Sequence, residues 1–127
     1  VLVVRSMARD LAIPTRVIAC PTVREPDGLA LSSRNVHLGP EERAAAPILH
    51  RSLLAARDAW EHGERSADAL RARMREVLGS EPLADVDYAS VADAATLREL
   101  DRVDGPALLS LAVRFGTTRL IDNEPLP

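Results

Sequence analysis

The spacing of hydrophobic residues changes three times along this 127-residue chain. Residues 1–11 are spaced as most of an amphipathic helix, and the β-branched run Thr15–Cys20 predicts a short strand. Helical spacing returns at Pro40, and from Val86 onwards apolar and polar residues alternate as they do in strands. The pattern therefore predicts a helix–strand unit, then helices, then strands.

Two helices are predicted in the middle of the chain. Gly39–Glu42 is a strong helix start, because proline suits the first turn and glutamate suits the positive end of the helix dipole. This helix should run to about His62, with a kink at Pro47. The second should lie between the cap Ser66 and Gly79. The side chains predicted to face the core are Ala45, Leu49, Leu53, Ala56 and Trp60, followed by Leu70, Met74, Val77 and Leu78.

Three strands are predicted after these helices. Pro106–Phe115 and Thr118–Asn123 should form an antiparallel hairpin, with Val86–Val91 as a third strand. Asp93 is expected to cap a short helical turn that runs to Leu100, and Pro125–Pro127 is expected to be a frayed tail.

The predicted fold class is α+β, with two helices on a small antiparallel sheet in residues 38–127. Residues 1–37 are interpreted as the last helix–strand unit of a parallel α/β domain. The loop Pro21–Asn35 would then lie beyond the end of a strand, where ligands bind in such folds. The boundary between the two parts is expected near residues 35–39.

Composition narrows the function classes. An apolar content of 46% and a charged content of 28% are typical of a globular protein. A formal net charge of -3 argues against nucleic acid as a partner, and no apolar run approaches the length of a membrane span. All 16 basic residues are arginine, which excludes lysine chemistry within the chain. Cys20 is the sole cysteine, so we expect a reducing compartment and a buried thiol at a strand end.

The loop Pro21–Asn35 carries the chemistry. Gly28 permits an unusual backbone conformation, Ser32 and Ser33 offer hydroxyl donors, and Arg34 adds a permanent charge with several donors. These residue types suit a phosphate site, although a surface turn whose serines cap the next element uses the same residues.

The remaining polar residues point less clearly to chemistry. Asp27 is interpreted as a turn residue rather than a general base. The spacings between His37, His50 and His62 match no common metal site, so no metal ligand is predicted. His37 either approaches a phosphate or, as we favour, has a capping or surface role.

The full string PTVREPDGLALSSRN at residues 21–35 resembles the signature of the pantoate–β-alanine ligase family, also called pantothenate synthetases. The resemblance continues through Asp93–Leu97 and Gly116–Asn123. Within it, Leu31–Arg34 corresponds to the KMSKS loop of class I aminoacyl-tRNA synthetases and other nucleotidyltransferases. Ala30 stands where that loop has its leading lysine.

This resemblance implies an ATP- and Mg²⁺-dependent ligase. Such an enzyme condenses pantoate with β-alanine through pantoyl adenylate, and it releases pantothenate, AMP and pyrophosphate. The implied catalytic residues are Ser32, Ser33 and Arg34, and Val23 and Leu31 would join them in binding ATP. A cytoplasmic homodimer with small-molecule partners, and no nucleic acid or membrane partner, is expected.

The chain is expected to be the C-terminal portion of such an enzyme, because it starts at Val1 in mid-helix without a cap. The resemblance implies that residues 1–37 end a Rossmann-like α/β nucleotidyltransferase domain, most of which would lie upstream. The fragment alone would then be inactive. The loop at Asp27–Arg34 is expected to move as a lid over ATP. The alternatives are another adenylate-forming nucleotidyltransferase, or a lid or interaction module without chemistry of its own.

Overall fold

The computed structural model describes residues 1–127. Its elements, in chain order, are the helix α1 at Leu2–Asp10, a 3₁₀ turn at Ser33–His37, the helices α2 at Pro40–Ala45, α3 at Ile48–Glu61 and α4 at Ala67–Gly79, and the strands β1 at Asp85–Asp93, β2 at Ala107–Phe115 and β3 at Thr118–Leu126. None of the helices combines the length and the apolar character that a membrane span requires.

The three strands form one antiparallel sheet in the order β1-β2-β3. Leu111 at its centre pairs with Ala89 on β1 and with Asp122 on β3. Helix α3 packs against β3 and β2, and α4 packs against β1. The predicted small antiparallel sheet is confirmed, with helices packed on it. Alternate residues of β2 are fully buried in the shared core, namely Leu109, Leu111, Val113 and Phe115.

The helices follow the apolar spacing closely. The side chains predicted to point inward are buried, except that Trp60 and Val77 are only partly covered. Ser66 caps α4 by accepting a hydrogen bond from the backbone N–H of Ala69 at 3.3 Å. The prediction of a single kinked helix was wrong, because α2 ends at Ala45 and α3 begins after Pro47. Proline lacks the N–H that would have continued the helical ladder.

The first 23 residues differ most from expectation. Helix α1 is present, but Thr15–Cys20 forms no strand. A strand requires a hydrogen-bonded neighbour, and no other segment pairs with this run. The prediction of a buried Cys20 was also wrong, since the residue is exposed.

Two expectations about the end of the chain need correction. Asp93 caps a turn as predicted, because it accepts hydrogen bonds from the backbone N–H groups of Ala95 and Thr96, but the turn covers residues 94–96 and does not run to Leu100. The tail is not frayed, because β3 continues to Leu126, which pairs with Ala107 and is buried. Pro125 is tolerated there because β3 is an edge strand, where a missing N–H goes unused.

Candidate functional site

The loop Pro21–Asn35 folds back on itself over Val23–Leu31, a segment called here the arm. Backbone hydrogen bonds link Leu31 N–H to the Val23 carbonyl and Glu25 N–H to the Leu29 carbonyl, both within 2.9 Å. Gly28 forms the tip with a φ of 94°, a conformation that glycine adopts without strain. The arm is therefore a short hairpin that ends just before Ser32.

A buried ion pair holds the arm on the sheet. The Arg24 guanidinium donates to both carboxylate oxygens of Asp122 on β3, at 2.7 and 3.0 Å. It also donates to the Gly28 carbonyl at 3.2 Å and so braces the tip. Only 3% of the Asp122 side chain and 17% of the Arg24 side chain are exposed. Such a two-point contact fixes orientation as well as distance.

Two further contacts attach the tip of the arm to the helices. Leu29 is buried in the same core cluster as α3 and the sheet. Asp27 accepts a hydrogen bond from Arg43 on α2 at 2.6 Å, and this bond holds the pKa of Asp27 below its usual value. Asp27 thus acts in a structural contact, as the turn interpretation expected. The packing counts against a loop that moves alone: closure would have to carry the helices and sheet with it.

The segment Ser32–Arg34 follows the arm and is exposed. Ser32 caps the 3₁₀ turn, because its Oγ accepts a hydrogen bond from the Arg34 backbone N–H at 3.2 Å. The hydroxyl of Ser33 and the guanidinium of Arg34 make no hydrogen bond within the chain. Ser32 therefore performs the capping role that was the alternative interpretation, while Ser33 and Arg34 remain available to a ligand.

An open groove of about 230 Å³ lies beside this segment and is called here the loop groove. It brings the predicted site residues Leu31, Ser32 and Arg34 together, over apolar side chains from α3 and β3 that include Leu49, Leu120 and Ile121. Asn35 also lines it, donates to the Ala30 carbonyl at 3.0 Å, and has a buried Oδ1 with no partner. An unpaired buried acceptor in a groove is a place where a ligand or water donor fits.

Two predicted ATP-site residues do not line this groove. Val23 is exposed at the start of the arm, and Ser33 lies outside the groove lining. His37 lines a second groove together with Arg34. No group of three or more histidine, cysteine or acidic side chains is arranged to hold a metal ion.

The sequence reasoning missed the roles of Asp122 and His50. Asp122 occupies an inward position of β3, in register with the buried Thr118 and Leu120. A carboxylate in such a register predicts a buried cationic partner, and that signal was present in the sequence. His50 on α3 packs over Gly28, with Nδ1 2.6 Å from where a Cβ of residue 28 would lie. Burial, followed by the charge of Arg24, lowers the pKa of His50.

Comparison with known proteins gives this fold and loop a family. A sequence model described as "Pantoate-beta-alanine ligase" matches residues 1–125. The pantothenate synthetase of Chloroflexus aggregans is 64% identical over 124 residues, which are 96% of this chain and 44% of that protein. The pantothenate synthetase of Roseiflexus castenholzii is 61% identical over 122 residues, with the same coverage.

Solved structures agree with the sequence matches. A crystal structure of pantothenate synthetase from Thermus thermophilus has a TM-score of 0.90 and 45% identity, and it covers 97% of this chain and 44% of that one. The pantoate-beta-alanine ligase from Francisella tularensis, complexed with beta-gamma ATP and beta-alanine, has a TM-score of 0.56 and 25% identity, covering 97% and 38%.

The fold is thus that of the α/β ligases it matches, with a small three-stranded antiparallel sheet. This chain belongs to the pantoate–β-alanine ligase family. It spans less than half the length of the relatives it matches. The coverage says how much of each relative is matched and not which part of it, so the C-terminal position of this chain stays a prediction.

Proposed function

We propose that this chain is part of an ATP-dependent ligase that joins pantoate to β-alanine and releases AMP and pyrophosphate. The observation that carries the proposal is the state of Arg34. Its guanidinium has no partner within the chain, yet it follows an arm that is fixed to the sheet by Arg24 and Asp122. A free cation on a fixed support beside a groove suits an anionic ligand.

The first step is attack of the pantoate carboxylate on the α-phosphorus of ATP. The bond from that phosphorus to the β-phosphate bridging oxygen breaks, and pyrophosphate leaves while pantoyl adenylate forms. Negative charge builds on the leaving phosphates, and Arg34 neutralises it with a charge-assisted hydrogen bond. Ser33 adds a hydroxyl donor, and Ser32 contributes through the turn that it caps.

The second step needs no nucleophile from this chain. The β-alanine amine attacks the carbonyl carbon of pantoyl adenylate, the carbon–oxygen bond to AMP breaks, and the amine loses a proton. In this account Leu31 and Val23 lie against the nucleotide, and the segment Leu31–Arg34 serves as a KMSKS-like loop. Support for the nucleotide comes from the Francisella tularensis relative, which was solved with an ATP compound and β-alanine.

Magnesium does not find a ligand set among these residues. The carboxylate that lines the loop groove, Asp122, is already paired with Arg24. No cluster of three potential metal ligands exists in the chain. A Mg²⁺ ion in the proposed reaction would accompany the phosphate oxygens of ATP, as it commonly does at nucleotide sites.

An oxygen-tracing experiment on the full-length protein tests the adenylate route. Pantoate labelled with ¹⁸O in its carboxylate is incubated with ATP, Mg²⁺ and β-alanine, and the products are analysed by mass spectrometry. Adenylate formation transfers one labelled oxygen to AMP. Label in inorganic phosphate, or no AMP in the presence of both substrates, would contradict the proposal.

The same proposal includes a cytoplasmic homodimer and an inactive isolated chain. Light scattering on the full-length protein tests the dimer. Repeating the labelling experiment with residues 1–127 alone tests whether the isolated chain is inactive. AMP formed by this chain would contradict the proposal.

A further inference from the structure

Arg34 also lines a second groove, which is called here the hairpin groove. It has a volume of about 660 Å³ and is lined by Arg34, His37, Thr117, Thr118 and Arg119. The last three residues belong to the turn and first residues of the β2–β3 hairpin. The volume lies within the range of roughly 300–1,000 Å³ that is usual for ligand pockets.

The lining of the hairpin groove consists of hydrogen-bond donors. It contains two guanidinium groups, an imidazole and two hydroxyls, and it contains neither a carboxylate nor an apolar side chain. The loop groove differs from it, because the lining of the loop groove is largely apolar. Arg34 lines both grooves, so a single ligand that reaches across Arg34 would meet an apolar end and a polar end.

Most of these donors are unoccupied. Arg34 has no side-chain partner, and the side chains of His37, Thr117 and Thr118 make no hydrogen bond within the chain. Arg119 donates only through Nε, to Asp87 on β1 at 2.7 Å, and its ring neighbour is Tyr88. The two terminal nitrogens of Arg119 are therefore free for an anion with several acceptor oxygens.

We propose that the hairpin groove binds the polyphosphate end of the nucleotide and holds it as pyrophosphate after the first step, with Arg119 and Thr117 as the binding residues contributed by the hairpin. This inference rests on the proposed function, since it assigns a second part to the same nucleotide site. A polyanion fits because it needs many donors and gains nothing from apolar contact. Arg34 would then join the two grooves at the point where the phosphates begin.

Calorimetric titration of the full-length protein with inorganic pyrophosphate tests the assignment. The variants are Arg119→Gln, which removes the cation, and Asp87→Asn, which removes the same surface ion pair but keeps the cation. Arg102→Gln controls for the loss of one exposed positive charge elsewhere. Thr117→Val, at an exposed turn position, provides a second probe that leaves the ion pair intact.

Arg119→Gln is expected to weaken pyrophosphate binding roughly tenfold, and Thr117→Val severalfold, as for the loss of hydrogen bonds to a charged ligand. Asp87→Asn should leave binding unchanged or tighten it, because it frees Arg119 and removes a nearby negative charge. A residue that only supports the hairpin would respond alike to Arg119→Gln and Asp87→Asn, and that result would overturn the proposal.

Two other results would also overturn it, namely wild-type protein that does not bind pyrophosphate, and Arg119→Gln that binds as Arg102→Gln does. Failure here is separable from failure of the proposed function. If Arg34→Gln weakens binding while Arg119→Gln does not, the hairpin groove is excluded and the ligase proposal stands. The ligase proposal itself is judged by the transfer of ¹⁸O to AMP.

Discussion

The Arg24 guanidinium and the Asp122 carboxylate, 98 residues apart, meet in a two-point ion pair of 2.7 and 3.0 Å. Asp122 is almost fully buried, and the same carboxylate also accepts the Asn123 backbone N–H at 2.8 Å. This pair joins the arm, near the start of the chain, to the edge strand β3, near its end. The position of Ser32–Arg34 relative to both grooves therefore depends on it.

Removing Arg24 should destabilise the protein strongly. Arg24→Met leaves the buried Asp122 carboxylate without its cation, and the free energy of unfolding should fall by about 3–5 kcal/mol. Urea denaturation followed by circular dichroism measures the change. Arg102→Met is the matched control, because the Arg102–Asp104 pair is 65% and 66% exposed. Its loss should cost less than about 1 kcal/mol.

The double variant Arg24→Met with Asp122→Leu should recover much of that loss, because no buried charge then lacks a partner. Independent, additive losses in the two single variants would contradict a direct coupling between Arg24 and Asp122. An Arg24→Met variant that loses no more unfolding free energy than Arg102→Met would also contradict it.

Gly28 is expected to tolerate alanine poorly for two separable reasons. Its φ of 94° strains any residue with a Cβ, and the new Cβ would meet Nδ1 of His50 at 2.6 Å. Gly63 shares the first problem, with a φ of 102°, but it has open space around it. Gly63→Ala should cost about 1–2 kcal/mol from backbone strain, and Gly28→Ala should cost at least about 1 kcal/mol more from overpacking.

The unfolding free energies of both alanine variants, measured in urea, distinguish the two contributions. In a His50→Ser background the extra cost at Gly28 should disappear, because the ring is gone. Equal losses for Gly28→Ala and Gly63→Ala in the wild-type background would show that His50 does not constrain the arm.

His50 should make stability depend on pH in the mildly acidic range. Burial and the charge of Arg24 lower its pKa in the folded state, although Asp122 and Glu124 oppose the shift. Below the ordinary pKa of 6.5 the unfolded chain binds a proton that the folded chain binds less readily. The free energy of unfolding contributed by His50 is therefore present above pH 6.5 and is lost as pH falls through the folded pKa.

Chemical denaturation at several pH values between about 5 and 8 measures this slope. The glutamine in His50→Gln does not titrate in this pH range, so this variant should show a shallower fall in stability toward low pH. The comparison uses the slope of the unfolding free energy against pH. A change in stability that is the same at every pH therefore does not affect it. An identical or steeper fall in the variant would contradict the assignment to His50.

Local pattern was enough to predict part of this fold. Helix α4 was predicted from its cap Ser66 to its end, because cap, spacing and terminating glycine are all encoded within neighbouring residues. Strand β2 followed from strict alternation. Thr15–Cys20 was mistaken for a strand, because strand propensity does not reveal whether a pairing partner exists.

In the candidate site, too, locally encoded features could be predicted and features that depend on distant contacts could not. Ser32, Ser33 and Arg34 could be selected from residue type and from the family resemblance, since their chemistry is local. The support beneath them could not, because Arg24 and Asp122 are brought together only by the fold. The clue to Asp122 in the sequence was its inward register with Leu120 on β3.

The most direct measurement is the rate of AMP formation by the full-length protein with ATP, Mg²⁺, pantoate and β-alanine, for wild type, Arg34→Gln and Arg98→Gln. Arg98 is an exposed arginine that lines neither groove, so its variant controls for charge. Arg34→Gln should lower kcat/KM for ATP by roughly ten- to a hundredfold, the effect of losing a charge-assisted hydrogen bond, while Arg98→Gln stays at the wild-type value. Equal activity in all three proteins would contradict the central claim that Arg34 neutralises the phosphates.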